Sequence, residues 1–264
     1  MTERDVWAAG AAYEAYVGRW SRDVAARFVR WLAAPPGLRW LDVGCGTGAL
    51  TAHVLSAAEP AHVVGVDPSM GFLSSARAAA PRASFLRAGA ESLPLLARSV
   101  HVVVSGLALN FVPDPARALA EFTRVTPPGG VIAAYVWDYG DGMAMIRTFW
   151  DTATALDPTA ATHHEGHRFP LCRPDPLTHL WTAAGLDQVT VHPIEIPTTF
   201  TDFDDYWTPF LGGQGPAPTY IQSLPADHRH TLRETLRANL PTTADGRIHL
   251  TARAWAIRGV RAEA

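Results

Sequence analysis

The sequence predicts an α/β fold in which a doubly wound, mainly parallel sheet is covered by helices on both faces. Three observations carry this expectation. Short, continuously apolar runs recur along the first half of the chain. Stretches with a helical period lie between them. Glycine- or proline-rich turns separate the two kinds of segment. The 264 residues allow one large domain or two small ones. The expected organisation is a single domain over 1–264, with a helical cap at 1–37, a ligand-binding core at 38–138, and acceptor-shaping helices, an insertion and the last two strands at 139–264.

The elements follow in order. Ser21 can cap a helix in which Val24, Phe28, Trp31 and Leu32 recur at helical spacing, and Pro35-Pro36-Gly37 ends it. Residues 39–43 form an apolar strand that runs into a glycine-rich turn. A helix over 49–57 and a β-branched strand over 62–66, closing at Asp67, come next. An alanine-rich helix over 70–80 stops at Pro81. Phe85 and Leu86 mark a third strand and residues 100–104 a fourth. Residues 113–125 have a helical period, and the turn Pro127-Pro128-Gly129-Gly130 leads into a strand over 131–137. Helices are expected over 143–156 and 177–184, and alternating strands over 189–196 and 249–257. Residues 198–246 are too many for a plain connection and read as a lid-like insertion.

Composition excludes whole classes of chemistry. All 22 cationic side chains are arginine, and there is no lysine. Schiff-base catalysis, pyridoxal phosphate anchoring and a Walker-type phosphate loop each need a lysine amine. A net charge of −3 and a pI of about 6.4 give no electrostatic footprint for nucleic acid. Two cysteines, Cys45 and Cys172, cannot make a disulfide framework and suit a reducing cytoplasm. The sequence shows no signal peptide, and no apolar run approaches the ~20 residues of a membrane span. A small-molecule partner, with no nucleic acid and no membrane, is the expectation.

The strongest motif is Leu41-Asp42-Val43-Gly44-Cys45-Gly46-Thr47-Gly48, placed after a strand and before a helix. Glycines there let the backbone turn tightly and approach a ligand. A second strand ends in Val64-Gly65-Val66-Asp67, where an acid can accept hydrogen bonds from both hydroxyls of a ribose. The glycines fall as G-x-G-x-G rather than as the G-x-G-x-x-G of dinucleotide sites.

This arrangement resembles motif I of the class I S-adenosylmethionine-dependent methyltransferases, in particular the UbiE-like, type 11 group. Asp67-Pro68-Ser69-Met70 resembles the family's second-strand acid and helix start. Ala88-Gly89-Ala90-Glu91-Ser92-Leu93-Pro94 is similar to its G-D-A-E-x-L-P segment, and Pro127-Pro128-Gly129-Gly130 to its L-x-P-G-G turn. The late segment over 197–220 is similar to the C-terminal part of uncharacterised bacterial members. The resemblance implies a Rossmann-like, seven-stranded sheet with the last strand antiparallel. It implies S-adenosylmethionine as methyl donor and S-adenosylhomocysteine as product. By the same resemblance Asp42 meets the donor's amino group. Gly44, Cys45, Gly46 and Gly48 line the methionine part and sugar edge. Asp67, with Pro68, Ser69 and Met70, serves the ribose and adenine, as do Ala90 and Glu91. Gly89 stands where the family usually has an acid. Ser105, Gly106, Leu107 and Asn110 follow the fourth strand near the methyl-donating end, where Ser105 and Asn110 read equally as loop caps.

The donor's carboxylate needs a cation, and Arg19 is the candidate; Tyr16 or Trp20 can close over the sulfonium or staple the N-terminal helices to the core. An oxygen or carbon acceptor calls for a base. His163 and His164 are candidates within Thr162-His163-His164-Glu165-Gly166-His167, which also reads as a polar surface loop. Asp138 is a further candidate, and no metal site is expected. Trp137, Tyr139, Tyr206, Trp207 and Phe210 can line an acceptor pocket or be core. The expected function is methyl transfer to a small organic molecule by a monomer or homodimer. Two other readings remain: a donor-binding protein that does not methylate, and a nicotinamide-dependent dehydrogenase, which the glycine spacing disfavours.

Overall fold

The computed structural model describes residues 18–164, 166, 169–212 and 215–263. Tyr16, Glu165 and His167 lie outside the described residues. The first strand, β1 (Arg39–Val43), is buried along all but its first residue, as a central strand must be. It pairs in parallel with β2 (His62–Asp67) on one side and β4 (Val102–Gly106) on the other. Beyond β2 lies β3 (Ser84–Arg87), and beyond β4 lies β5 (Val131–Trp137), both parallel. The full order is β3-β2-β1-β4-β5-β7-β6, with β6 at Leu186–Phe200 and β7 at Ile248–Arg261. The chain winds outward one way from β1 and the other way from β4. The carboxyl ends of these two strands are therefore a topological switch point, the place where open α/β sheets bind ligands.

The last strand runs against the others. Arg261 N donates to Gly130 O at 2.8 Å, and Asp138 N to Arg253 O at 2.9 Å, so β7 descends as β5 ascends. On β6, at the outer end of the order, Pro193 and Pro197 each remove a backbone donor.

Helices fill the crossovers. α1 (Ser21–Leu32) buries Val24, Phe28, Val29 and Leu32 on one face. It starts after a 3-10 turn over Gly18–Trp20, so Ser21 is its first residue and not its cap. α2 (Ala49–Ala57) follows the glycine turn with Gly48 as its cap residue. α3 (Met70–Ala79) is capped by Ser69, whose hydroxyl accepts from Phe72 N. α4 (Pro115–Val125) is capped by Asp114, which accepts from Arg117 N at 3.0 Å, and buries Leu119, Phe122 and Val125. α5 (Ala144–Leu156) and α6 (Pro174–Ala183) come next. Trp181 of α6 is fully buried and donates its indole N–H to Ile132 O at 3.1 Å.

The seven-stranded mixed sheet and the helix before it agree with the expectation, and the insertion precedes β7. The insertion is mostly helical: α7 (Phe203–Trp207), a 3-10 segment over Thr208–Gly212, α8 (Pro216–Ser223) and α9 (Ala226–Asn239). Strands β6 and β7 are longer than their alternating patterns suggest, because Pro193 and Pro197 interrupt one pattern and buried Ile257 and Gly259 the other.

The chain clusters into two compact units. One holds 21–136, 171–194 and 254–264, the other 1–20, 137–170 and 195–253. In the first, Phe28 packs on Tyr135 with ring centroids 4.6 Å apart. In the second, Phe149 stacks on Phe210 at 4.7 Å and meets Trp150 edge-on at 5.0 Å. Among the described residues no helix is long and apolar enough to cross a membrane.

Candidate active site

β1 delivers Asp42 to the switch point almost wholly buried, at 1% exposure. Thr51, in the first turns of α2, donates its hydroxyl to Asp42 Oδ2 at 2.6 Å. Asp42 Oδ1 is buried with no hydrogen-bond partner. Burial pushes this carboxyl up from 3.8 to about 7, the hydroxyl of Thr51 pulling against it and the charge of Asp67 adding to it.

The turn after β1 is strapped to the end of β2. Gly44 N and Cys45 N both donate to Val66 O, at 2.8 and 3.0 Å. Gly46 N donates to Asp67 Oδ2 at 3.0 Å, and Ser69 N to Asp67 Oδ1 at 2.8 Å. Burial raises the Asp67 carboxyl, and these two bonds oppose the rise. The two glycines meet different needs. A Cβ on Gly44 would come within 2.5 Å of the Ala108 Cβ, so Gly44 permits a close approach. Gly46, at φ +52, faces open space, with nothing within 4 Å of a Cβ built there. Cys45 is buried between them. Burial, and then the charges of Asp42 and Asp67, push its thiol far up, so it is no nucleophile.

Around this turn, Arg87 Nε donates to Pro68 O at 3.1 Å. Met70 is 52% exposed at the start of α3. Gly89 faces open space and Ala90 is half-buried. Glu91 is tied to the α4 cap, accepting from Asp114 N at 3.0 Å. After β4, Ser105 is buried and Gly106 leads into Leu107. Leu107 has a left-handed φ of +57, held by a 2.7 Å bond from its N to Tyr135 O. Asn110 Nδ2 is buried without a partner. All these residues, from Asp42 to Asn110, fall in one compact unit.

The other unit holds the remaining expected residues. Asp138 accepts from Arg253 Nε at 2.8 Å and lies 2.6 Å from its Nη2, while Asp141 N donates to its other oxygen. Its carboxylate is thus engaged in an ion pair that ties β5 to β7. His164 Nδ1 accepts from Gly166 N at 2.9 Å, which leaves the proton of its neutral form on Nε2. His163 is exposed and packs beside Trp150 and Tyr220. Tyr206 is fully buried and donates its hydroxyl to Met145 O at 2.9 Å. Phe210 is core beneath Phe149, Trp207 stacks on Phe203, and Tyr139 meets Phe169. Trp137 is 1% exposed with its Nε1 unpartnered. Arg19 pairs with Asp205 at 2.7 Å and, like Trp20, belongs to this second unit. Among the described residues no cluster of three or more His, Cys, Asp or Glu side chains is placed to hold a metal.

Sequence reasoning missed three partners: Thr51, Asp205 and Arg253. Thr51 had a signal, a hydroxyl nine residues after Asp42 at a helix start. The other two are far in sequence from what they serve, and no spacing exposes them.

Residues 41–134 match the Methyltransf_11 family, described as a methyltransferase domain. The chain is 40% identical over 113 residues to Rv3342 of Mycobacterium tuberculosis, an uncharacterised methyltransferase; the match covers 43% of this chain and 45% of that protein. It is 29% identical over 137 residues to the ubiquinone/menaquinone biosynthesis C-methyltransferase UbiE of Campylobacter jejuni, covering 49% and 58%. The chain thus spans about half the length of these curated relatives. In fold it is similar to the YcgJ protein of Bacillus subtilis, with a TM-score of 0.57 at 17% identity over 92% of this chain and 99% of that one.

Proposed function

We propose that the core of this chain, whose residues 41–134 match a methyltransferase-domain family, is that of a class I S-adenosylmethionine-dependent methyltransferase related to the UbiE group, and that the protein moves a methyl group from S-adenosylmethionine to a small organic acceptor. The observation that carries this reading is the unpartnered Asp42 Oδ1 at the switch point, with open space at Gly46 in the turn that follows. A buried carboxylate oxygen with no donor fits an ammonium, and the open glycine fits a ligand lying against backbone.

When bound, S-adenosylmethionine supplies a methyl group on a positively charged sulfur, already activated for in-line displacement. The chain's own residues hold and align it. Asp42 takes the ammonium. Asp67, already fixed by Gly46 N and Ser69 N, keeps lone pairs for the two ribose hydroxyls. Exposed Met70 covers one adenine face, with Ala90 and Glu91 beside the ring edge. The strained Leu107 turn and Asn110 Nδ2 stand at the reactive end, where orientation lowers the barrier. Asp138 keeps its ion pair, and His163 serves as base where the acceptor must lose a proton. Trp137, Tyr139 and Trp207 give the acceptor its apolar surroundings. The chain works as a monomer or homodimer, and its two buried cysteines suit the reducing cytoplasm.

Calorimetric titration with S-adenosylhomocysteine tests the reading. Asp67→Ala is expected to weaken binding by about tenfold or more, the equivalent of one or two charge-assisted hydrogen bonds. Binding of a nicotinamide dinucleotide in place of S-adenosylhomocysteine overturns it.

A further inference from the structure

The guanidinium of Arg19 is only partly used. Nη1 donates to Asp205 Oδ1 at 2.7 Å, and Asp205 Oδ2 accepts from Thr201 N at 2.9 Å. The ring centroids of Trp20 and Phe200 lie 4.5 and 4.7 Å from the guanidinium carbon, so the planar group is held against two aromatic rings. Nε and Nη2 are buried, and neither has a hydrogen-bond partner. These two N–H groups share one edge of the guanidinium, the edge that grips a carboxylate through two parallel hydrogen bonds. Buried donors without an acceptor are unfavourable, so the empty edge is preset for an oxyanion.

A second observation lies on β6. Ile194, Ile196, Thr198 and Phe200 alternate inward, with exposed neighbours between them, so Thr198 shares a strand face with the ring beside Arg19. Successive positions on one face are ~7 Å apart, within the span of a small ligand. Thr198 is 1% exposed, and its Oγ1 has no partner.

We propose that the Nε–Nη2 edge of Arg19, with the Thr198 hydroxyl, is a carboxylate-binding subsite for the methyl acceptor, which makes the acceptor class a small aromatic carboxylic acid. The word acceptor rests on the methyl-transfer reading; the subsite does not. The donor's own carboxylate is the other source of the same chemistry. One feature favours the acceptor: aromatic rings beside the cation suit a ligand whose carboxylate sits on a ring.

Benzoate and its uncharged counterpart methyl benzoate, titrated by NMR against the full chain with S-adenosylhomocysteine in parallel, test this. The wild-type chain is expected to prefer benzoate, and Arg19→Met and Arg19→Lys each to weaken it by about tenfold, since lysine keeps the charge but lacks the fork. Thr198→Val is expected to weaken benzoate by roughly threefold, the loss of one neutral hydrogen bond. S-adenosylhomocysteine binding stays within about twofold throughout, well under one lost hydrogen bond. Arg19→Lys retains a cation for Asp205 and so reports even where Arg19→Met does not fold. Three results overturn the proposal: no benzoate binding by the wild-type chain, Arg19→Lys binding benzoate as wild type does, or Arg19 variants losing S-adenosylhomocysteine while keeping benzoate. Benzoate binding as expected in a chain that ignores S-adenosylhomocysteine supports the subsite and sinks the methyl-transfer reading.

Discussion

The Thr51 hydroxyl donates to Asp42 Oδ2 across 2.6 Å, in a setting from which water is excluded. Burial, opposed by this bond, places the Asp42 carboxyl at about 7 in place of its ordinary 3.8. A carboxyl raised in this way binds a proton more tightly folded than unfolded. Its contribution to stability is complete below 3.8 and is lost as pH rises through about 7. The ligand-free chain is therefore expected to melt lower at about pH 8 than at about pH 5, and Asp42→Asn to flatten that difference. Thermal melts across this range check it. Affinity for S-adenosylhomocysteine should rise over the same interval, as Asp42 ionises to meet the ammonium. Thr51→Val should move that rise to higher pH.

Gly44 and Gly46 should respond differently to alanine. Both have positive φ, which costs a residue with a Cβ roughly 1 kcal/mol. At Gly44 the new methyl also meets Ala108 at 2.5 Å, so Gly44→Ala is expected to lower stability by a further ~1–3 kcal/mol of overpacking. At Gly46 the methyl enters open space. Gly46→Ala should fold with little more than the backbone cost and lose S-adenosylhomocysteine. Denaturant unfolding and calorimetry on the two variants separate these outcomes.

The ion pair of Asp138 with Arg253 is a structural tie. Asp138 is 3% exposed. Arg253→Met leaves its charge buried, at an expected cost of about 3–5 kcal/mol. The double variant Asp138→Asn with Arg253→Met should recover much of this. A double variant as unstable as Arg253→Met alone would refute the assignment.

A smaller lock holds the segment after Glu91. Arg124 donates to Glu121 and to the carbonyls of Leu93 and Leu95, while Leu93 N donates to Glu121 Oε2 at 2.7 Å. The hydrogen bond from Arg124 is the main cause holding the Glu121 carboxyl below its ordinary range. The contribution is present above 4.5 and fades as pH falls through the lowered folded value. Arg124 is partly exposed, so Arg124→Met is expected to cost about 1 kcal/mol. Its clearer sign is faster amide exchange at Leu93, read by hydrogen exchange.

The parallel half of the fold was legible because its information is local. Leu41 to Gly48 announces strand, turn and helix in one stretch, and Asp67 sits at the end of the next strand. The second half was harder because its signals are diluted. In α9 only Leu232 and Leu236 are buried, so its apolar stripe is too thin to stand out, and the sequence marks the insertion only by its length. The same contrast holds for the site. Asp42 stands out in the sequence through the motif resemblance, and Asp67 through its place at the end of a strand. The partners of Arg19 and Asp138 come from 186 and 115 residues away, and no sequence period connects them.

Pro193 and Pro197 are four residues apart, and backbone donors alternate from side to side along a strand, so both missing N–H groups fall on the same flank. On an edge strand prolines sit where no ladder partner needs their N–H, which assigns this flank as the outer one. A neighbouring molecule that tried to continue the sheet there would find two of its carbonyls unanswered. Crowded copies of this chain are thus discouraged from polymerising edge to edge, and the long terminal strand can stay extended without becoming a seed for fibres.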